Sequence, residues 1–215
     1  MLFKILAQFK FLVLLLLLIA YFIAKTFIDE GHFEYIITIL FAVLVAYSLY
    51  VIGHSKRLIF ITALVAGLSV VSVLLTSTLY QITGKILIIH ALLGVMFFFL
   101  IALHSLRYSI RGKRITADNL CGAICTYLLL GLAFSYLYVL ISTIDSNAFA
   151  YSLEQVGTED YIYYSFVTLT TLGYGDIVPI LKIARTVSWL EAVTGQIYLT
   201  VLIAQLVALY IIHNK

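Results

Sequence analysis

Apolar residues along this chain fall into six long blocks separated by short polar breaks that carry most of the charge. The blocks run from about Phe9 to Phe27, Tyr35 to Ile52, Leu58 to Tyr80, Ile86 to Leu106, Leu120 to Ile141 and Thr186 to Ile212. Each is close to the ~20 mostly apolar residues a helix needs to cross a bilayer core. A seventh block, Tyr161 to Thr171, is too short to span. It fits a re-entrant helix, whose irregular continuation is tolerated at membrane depth only where protein or a water-filled cavity surrounds it. The pattern predicts an all-α membrane protein with six transmembrane helices and a re-entrant helix between the fifth and sixth.

Composition sharpens the class. Hydrophobic residues make up 64% of the chain and charged residues 11%, which excludes an ordinary soluble domain and gives no basic surface for nucleic acid. The distribution of charge sets an orientation. Lys4, Lys10, His54, Lys56, Arg57, Arg107, Arg111, Lys113 and Arg114 share one side, and Asp29, Glu30, Glu34, Asp145, Glu154, Glu159 and Asp160 the other. Basic residues concentrate in cytoplasmic flanks, so both termini are expected in the cytoplasm of a multi-pass cell-membrane protein. Lys25, Lys85, Lys182 and Arg185 break the bias, but near helix ends long basic side chains can snorkel to the interface. The leucine run Leu14 to Leu18 follows Lys4 and Lys10 as in a secretory leader, yet no small-residue cleavage site follows it, so a retained helix is expected. Cys121 and Cys125, one helical turn apart on the reducing side, read as small packing residues.

One polar segment carries specific chemistry. In Thr171-Leu172-Gly173-Tyr174-Gly175-Asp176 two glycines are spaced by a single residue. Successive carbonyls of an extended chain point to opposite sides, so aiming all of them at one axis requires left-handed backbone at alternate residues, which glycine adopts cheaply. The carbonyls of Thr171, Leu172, Gly173 and Tyr174, with the Thr171 hydroxyl, can then replace the water shell of a dehydrating cation. Four such strands are needed and the chain has one, so a homotetramer follows. A dinucleotide-binding glycine loop is excluded, since Val178 stands where its third glycine belongs.

These residues resemble the signature of the potassium channel family, whose usual filter is Thr-Val-Gly-Tyr-Gly; this chain departs from it at Leu172. The resemblance is strongest over Tyr161 to Leu209. It implies a potassium-selective channel with Thr171, Leu172, Gly173, Tyr174 and Gly175 as the filter, potassium as permeant ion rather than cofactor, and no enzymatic activity. Because the second filter side chain points away from the ions in that family, Leu172 should alter packing behind the filter more than the carbonyl ring. Tyr163 and Tyr164 stand where relatives often have an aromatic pair bracing the filter, with Tyr174 packing outward against it. Val167 replaces a glutamate that bonds the aspartate after the filter in some relatives, so Asp176 needs another partner, with Tyr164 the expected one. The re-entrant helix would point its carboxyl end, near Thr170 and Thr171, at the pore, where the dipole favours a cation.

On the sixth helix, Gly195 lies at the distance from the filter where many potassium channels have a hinge glycine, and a hinge is expected in preference to a glycine that merely permits close helix packing. By helical spacing Gln196, Thr200, Ile203, Ala204 and Val207 line the cavity and lower pore, with Ile203 and Val207 able to form a constriction that gates by dewetting. Glu191 is the one acid well inside a predicted span, where an ionised group costs about 2.5 to 3.5 kcal/mol. It is expected to face protein and support the filter, either protonated and bonded behind it or ionised and coupled to pore water. Ser165, Thr170 and Thr171 are its candidate partners.

The chain thus divides into a four-helix membrane domain (1–106), a basic cytoplasmic linker (107–119) and a pore domain (120–215), the layout of six-helix tetrameric cation channels. Ser142 to Thr158 is polar and acidic and looks like their outer turret. Between Ile86 and Leu106 no arginine or lysine occurs, so strong voltage gating is not expected, and Arg107, Arg111 and Arg114 read as an orienting, lipid-contacting flank. His90 and His104 on the fourth helix read as packing residues in preference to pH sensors. The alternatives are a channel-derived cation transporter subunit, a voltage-gated potassium channel with an atypical sensor, and a non-conducting subunit or membrane enzyme. The transporter family resembles four linked pore repeats where this chain has one, and the enzyme reading finds no metal cluster or nucleophile and base. Expected partners are further copies of the chain, membrane lipids and, for any ligand control, a separate regulatory subunit.

Overall fold

The structure, a computed structural model, describes residues 9–27, 34–52, 56–78, 84–111, 116–152 and 157–213. Among the described residues each apolar block carries a helix: α1 (Lys10–Phe27), α2 (Glu34–Ile52), α3 (Lys56–Thr78), α4 (Gly84–Arg111), α5 (Ala117–Ile144), the short α6 (Thr158–Leu169) and α7 (Lys182–His213). Among the described residues three stretches are long and apolar enough to cross a membrane, Lys85–Ser109, Ala117–Ile144 and Lys182–Gln205. Shorter apolar stretches lie in α1, α2 and α3.

α5 is the hub, packing against α4 most extensively and also against α1, α6 and α7. One apolar core joins Phe11, Leu14 and Leu18 of α1 to Phe41 and Leu44 of α2, Phe97 and Phe98 of α4, and Leu129 and Leu132 of α5. A second gathers Tyr138 and Ile141 of α5, Phe149, and Tyr161 and Tyr164 of α6 under the loop that follows.

Hydropathy misjudged the junction of α4 and α5. The linker expected over 107–119 is shorter, because α4 continues to Arg111 and α5 begins at Ala117. Backbone hydrogen bonding does not stop where side chains turn polar, and Thr116 caps α5 by accepting the Asn119 amide at 3.2 Å. Asp118, passed over as a linker residue, is buried and caps a different helix. Its Oδ1 accepts the free amides of Phe11 and Leu12 at the start of α1, at 2.8 and 3.3 Å, and its Oδ2 accepts the Tyr108 hydroxyl at 3.2 Å. Cys121 and Cys125 are free thiols, and Cys125 is buried with its Sγ 3.4 Å from the Phe11 carbonyl. His90 packs edge-on to Tyr136 with its Nδ1 2.8 Å from the Ser72 hydroxyl.

The all-α expectation needs one correction. The segment read as a polar turret contains a strand, β1 (Phe149–Tyr151), which pairs antiparallel with β2 (Ile177–Pro179), the stretch that leaves the glycine loop. The register sets Ala150 opposite Val178, and the Ser152 amide donates to the Asp176 carbonyl at 3.0 Å. Aromatic and β-branched residues favour this pairing once tertiary packing brings the two segments together.

Candidate functional site

The site is built from the carboxyl end of α6, the loop after it and the facing side of α7. α6 opens with Glu159 and Asp160 in its first turn, where negative charge suits the helix dipole, and Asp160 accepts the Gly157 amide at 2.7 Å. Its last turn runs directly into the loop, with the amides of Thr170 and Thr171 donating to the carbonyls of Phe166 and Thr168 at 3.0 and 2.9 Å, and the Leu172 amide to Val167 at 2.9 Å. The base of the loop is therefore held by the helix that precedes it.

From Thr171 onward the backbone alternates. Thr171, Gly173 and Gly175 have φ of 59°, 61° and 81°, and among the described residues no other residue has positive φ. Alternating left-handed and ordinary residues turn successive carbonyls toward one side, as the glycine spacing requires. Among the described residues no hydrogen bond ends on the carbonyls of Leu172, Gly173 or Tyr174, which leaves them free to coordinate. Thr171 holds the left-handed conformation without being glycine, at a cost of about 1 to 2 kcal/mol. Its hydroxyl compensates by donating to the Thr170 carbonyl at 2.6 Å and accepting from Gln196 Nε2 at 3.2 Å. That second bond brings the expected pore face of α7 to the foot of the loop. Gln196, Thr200, Ile203 and Ala204 share one exposed face of α7, while the Val207 side chain lies outside the described residues.

The two tyrosines do different jobs. Tyr163 stacks on Tyr174 with ring centroids 6.4 Å apart and planes at 4°, and its hydroxyl donates to Asp176 Oδ2 at 2.6 Å. The expected partner of Asp176 was Tyr164; one residue on a helix is about 100°, enough to exchange a loop-facing for a core-facing position. Tyr164 instead is buried against Tyr138, and its hydroxyl shares a hydrogen bond with the Ser188 hydroxyl of α7 at 2.7 Å. The Tyr163 hydroxyl bond holds the Asp176 carboxyl below the usual carboxylate range, aided by the amides of Asp176 and Ile177, while the carboxylate pushes the Tyr163 phenol up to about 12. Leu172 and Tyr174 are 56% and 67% exposed in the single chain, a large apolar surface beside the free carbonyls.

Glu191 faces protein, fully buried, as expected. Of its candidate partners the structure selects Ser165, whose Oγ is 2.5 Å from Oε1, and adds Tyr138, whose hydroxyl donates to Oε2 at 2.5 Å. Thr170 and Thr171 bond elsewhere. Tyr138 was missed, although a tyrosine inside an apolar helix needs a partner for its hydroxyl and a buried acid needs donors, a signal that pairs the two.

Gly195 is accounted for by packing. A Cβ there would sit 2.2 Å from the carbonyl oxygen of Leu169, the last residue of α6. The same carbonyl accepts the Tyr127 hydroxyl of α5 at 3.2 Å, and Tyr198 of α7 donates to the Ala123 carbonyl at 2.6 Å. The end of α6 is thus clamped between α5 and α7, and a bare backbone at 195 is what lets α7 approach. These contacts cross 26 to 75 residues of sequence, so spacing could not disclose them.

Residues 122–211, from the first turns of α5 through α6 and the loop to the end of α7, match a family model described as "Ion channel". The match begins well before Tyr161, where the resemblance in the filter was strongest, and takes in the whole of the helix, loop and helix unit. No curated protein and no solved structure matches the chain.

Proposed function

We propose that the protein is a potassium-selective channel in which four copies bring the Thr171 to Gly175 segments around a common axis, conducting K+ passively with both termini in the cytoplasm. The observation that carries the reading is the alternation of positive φ at Thr171, Gly173 and Gly175, because a ladder of free carbonyls on one side of a chain suits a dehydrated monovalent cation and little else. The ion-channel match over residues 122–211 supports conduction, and the exposed Leu172 and Tyr174 supply apolar surface for a neighbouring copy to cover. In this reading α1 to α4 complete six spans. The test is purified protein in planar bilayers with potassium on one side and sodium on the other. The reversal potential should follow the potassium gradient; one that ignores it sinks the proposal and favours a non-conducting or transporter subunit.

In this reading Ile203, exposed on α7, and Val207 one turn further form the lower gate. Voltage should bias it only weakly. α4 carries no arginine or lysine between Lys85 and Arg107, and a charge crossing the membrane field is worth about 2.3 kcal/mol per 100 mV. Open probability should therefore change shallowly with potential. Steep activation that disappears on neutralising Arg107 and Arg111 would instead identify an atypical voltage sensor.

Acid on the Asp176 side supplies a further test. The Tyr163 bond stabilises ionised Asp176, so its contribution is present above the ordinary carboxylate range and is lost as pH falls through the depressed value. In Tyr163→Phe the acid-induced loss of potassium current should move to higher pH. An unchanged acid profile would separate Asp176 from the loop's integrity.

A further inference from the structure

Three oxygen contacts meet behind the loop. Ser165 Oγ on α6 is 2.7 Å from the Gly131 carbonyl of α5 and 2.5 Å from Glu191 Oε1 of α7, and the Tyr138 hydroxyl of α5 is 2.5 Å from Glu191 Oε2. Each contact is a hydrogen bond and needs one proton. The two hydroxyls supply two. The Tyr138 proton goes to Oε2. A carbonyl only accepts, so the Ser165 proton goes to Gly131, and the contact between Ser165 and Oε1 is left without a donor unless the carboxyl provides it.

We infer that Glu191 is a neutral carboxylic acid whose Oε1–H donates to Ser165, making it a proton-carrying strut that ties α6 to both α5 and α7. The surroundings agree with the count. Glu191 is fully buried, and among the described residues the ionisable groups turned toward it are Tyr138 and Tyr127 from α5 and Tyr164 from α6, with no basic side chain acting on it. An ionised carboxylate buried here would have no counter-ion among the described residues to offset the cost of burying its charge. It would also set two acceptors against one Ser165 proton, and either the bond to Gly131 or the bond to Glu191 would be lost. Ser165 lies on α6 one turn before Leu169, so the strut fixes the helix whose carbonyls hold the loop base. This role rests on the conduction reading, whereas the protonation does not.

The experiment uses the full chain reconstituted in lipid at neutral pH. Infrared difference spectra between the parent protein and Glu191→Gln should contain the C=O stretch of a protonated carboxylic acid in the parent alone; a carboxylate pair in its place overturns the inference whether or not the protein conducts. Glutamine is neutral, can donate to Ser165 and can accept from Tyr138. Glu191→Gln should therefore retain potassium over sodium preference within about twofold, since it keeps both hydrogen bonds. Glu191→Leu fills the volume without the bonds, and its preference should fall about tenfold or more, the equivalent of two such bonds lost. Equal preference in parent, glutamine and leucine variants would reduce Glu191 to a space-filling residue and overturn the strut.

Discussion

Replacing Gly173 by alanine is expected to abolish selective potassium flux while the chain still folds and inserts. Gly173 has φ of 61°, and a Cβ built there meets no atom within 4 Å, so the penalty is conformational rather than steric crowding. An L-residue held left-handed costs about 1 to 2 kcal/mol, and in a tetramer the cost is incurred in every copy around the axis. Thr171 bears the same conformation because its hydroxyl is tied to Thr170 and Gln196; alanine has nothing to tie. The cheapest relief is to rotate the peptide, which turns a carbonyl away from the axis. Gly67→Ala in α3 is the control, because it too meets nothing within 4 Å but has no positive φ. It should leave flux intact and raise stability by up to about 1 kcal/mol. Rubidium or potassium uptake into proteoliposomes, with sodium as competitor, measures both. Selective uptake by Gly173→Ala at the parent level would remove the filter assignment.

The second large effect is expected at Gly195. Were it only a hinge, alanine would straighten α7 and lower open probability with ion preference unchanged. The 2.2 Å approach of a Cβ to the Leu169 carbonyl predicts something else. Alanine gains about 1 kcal/mol of helix propensity, whereas overpacking against a backbone atom held by α6 costs typically about 1 to 3 kcal/mol. The clash wins, and α7 or the end of α6 must shift. Because Leu169 immediately precedes Thr170 and Thr171, the displacement reaches the loop, and Gly195→Ala should lower both unit conductance and potassium over sodium preference as well as the thermal stability of the assembly. Single-channel recording with a melting measurement separates the readings. Changed open probability at unaltered conductance and preference would return Gly195 to the role of hinge. Proline there would remove a backbone bond and clash with the preceding turn, so it should disturb the same contact more severely.

Agreement between sequence and structure follows the range of the interaction involved. Helix existence came from hydropathy blocks, and all seven described helices begin within about four residues of expectation, because backbone hydrogen bonding inside an apolar stretch is a local necessity. The alternating backbone of the loop was equally local, since it depends on which residues tolerate positive φ; Thr171 went further than the glycines alone implied. The linker was misplaced because polarity is a poor marker of where hydrogen bonding stops. β1 was missed because three residues acquire strand character only by pairing with a segment some 28 residues away. Tyr163 and Tyr164 were distinguished only when the rotation of α6 about its axis was fixed by packing on α5 and α7.

By itself the sequence determined the membrane class, the order of the helices and the alternating backbone of the Thr171 to Gly175 loop, because hydropathy and glycine conformational freedom are properties of single residues and short runs. Tertiary structure decided what stands behind that loop. Glu191 could be recognised as a buried acid from sequence, yet its pairing with Tyr138 and Ser165, the Asp176 bond to Tyr163 and the clamp of Gly195 on Leu169 depend on how three helices cross, and crossing geometry is set by the fit of whole surfaces rather than by any one residue's preference.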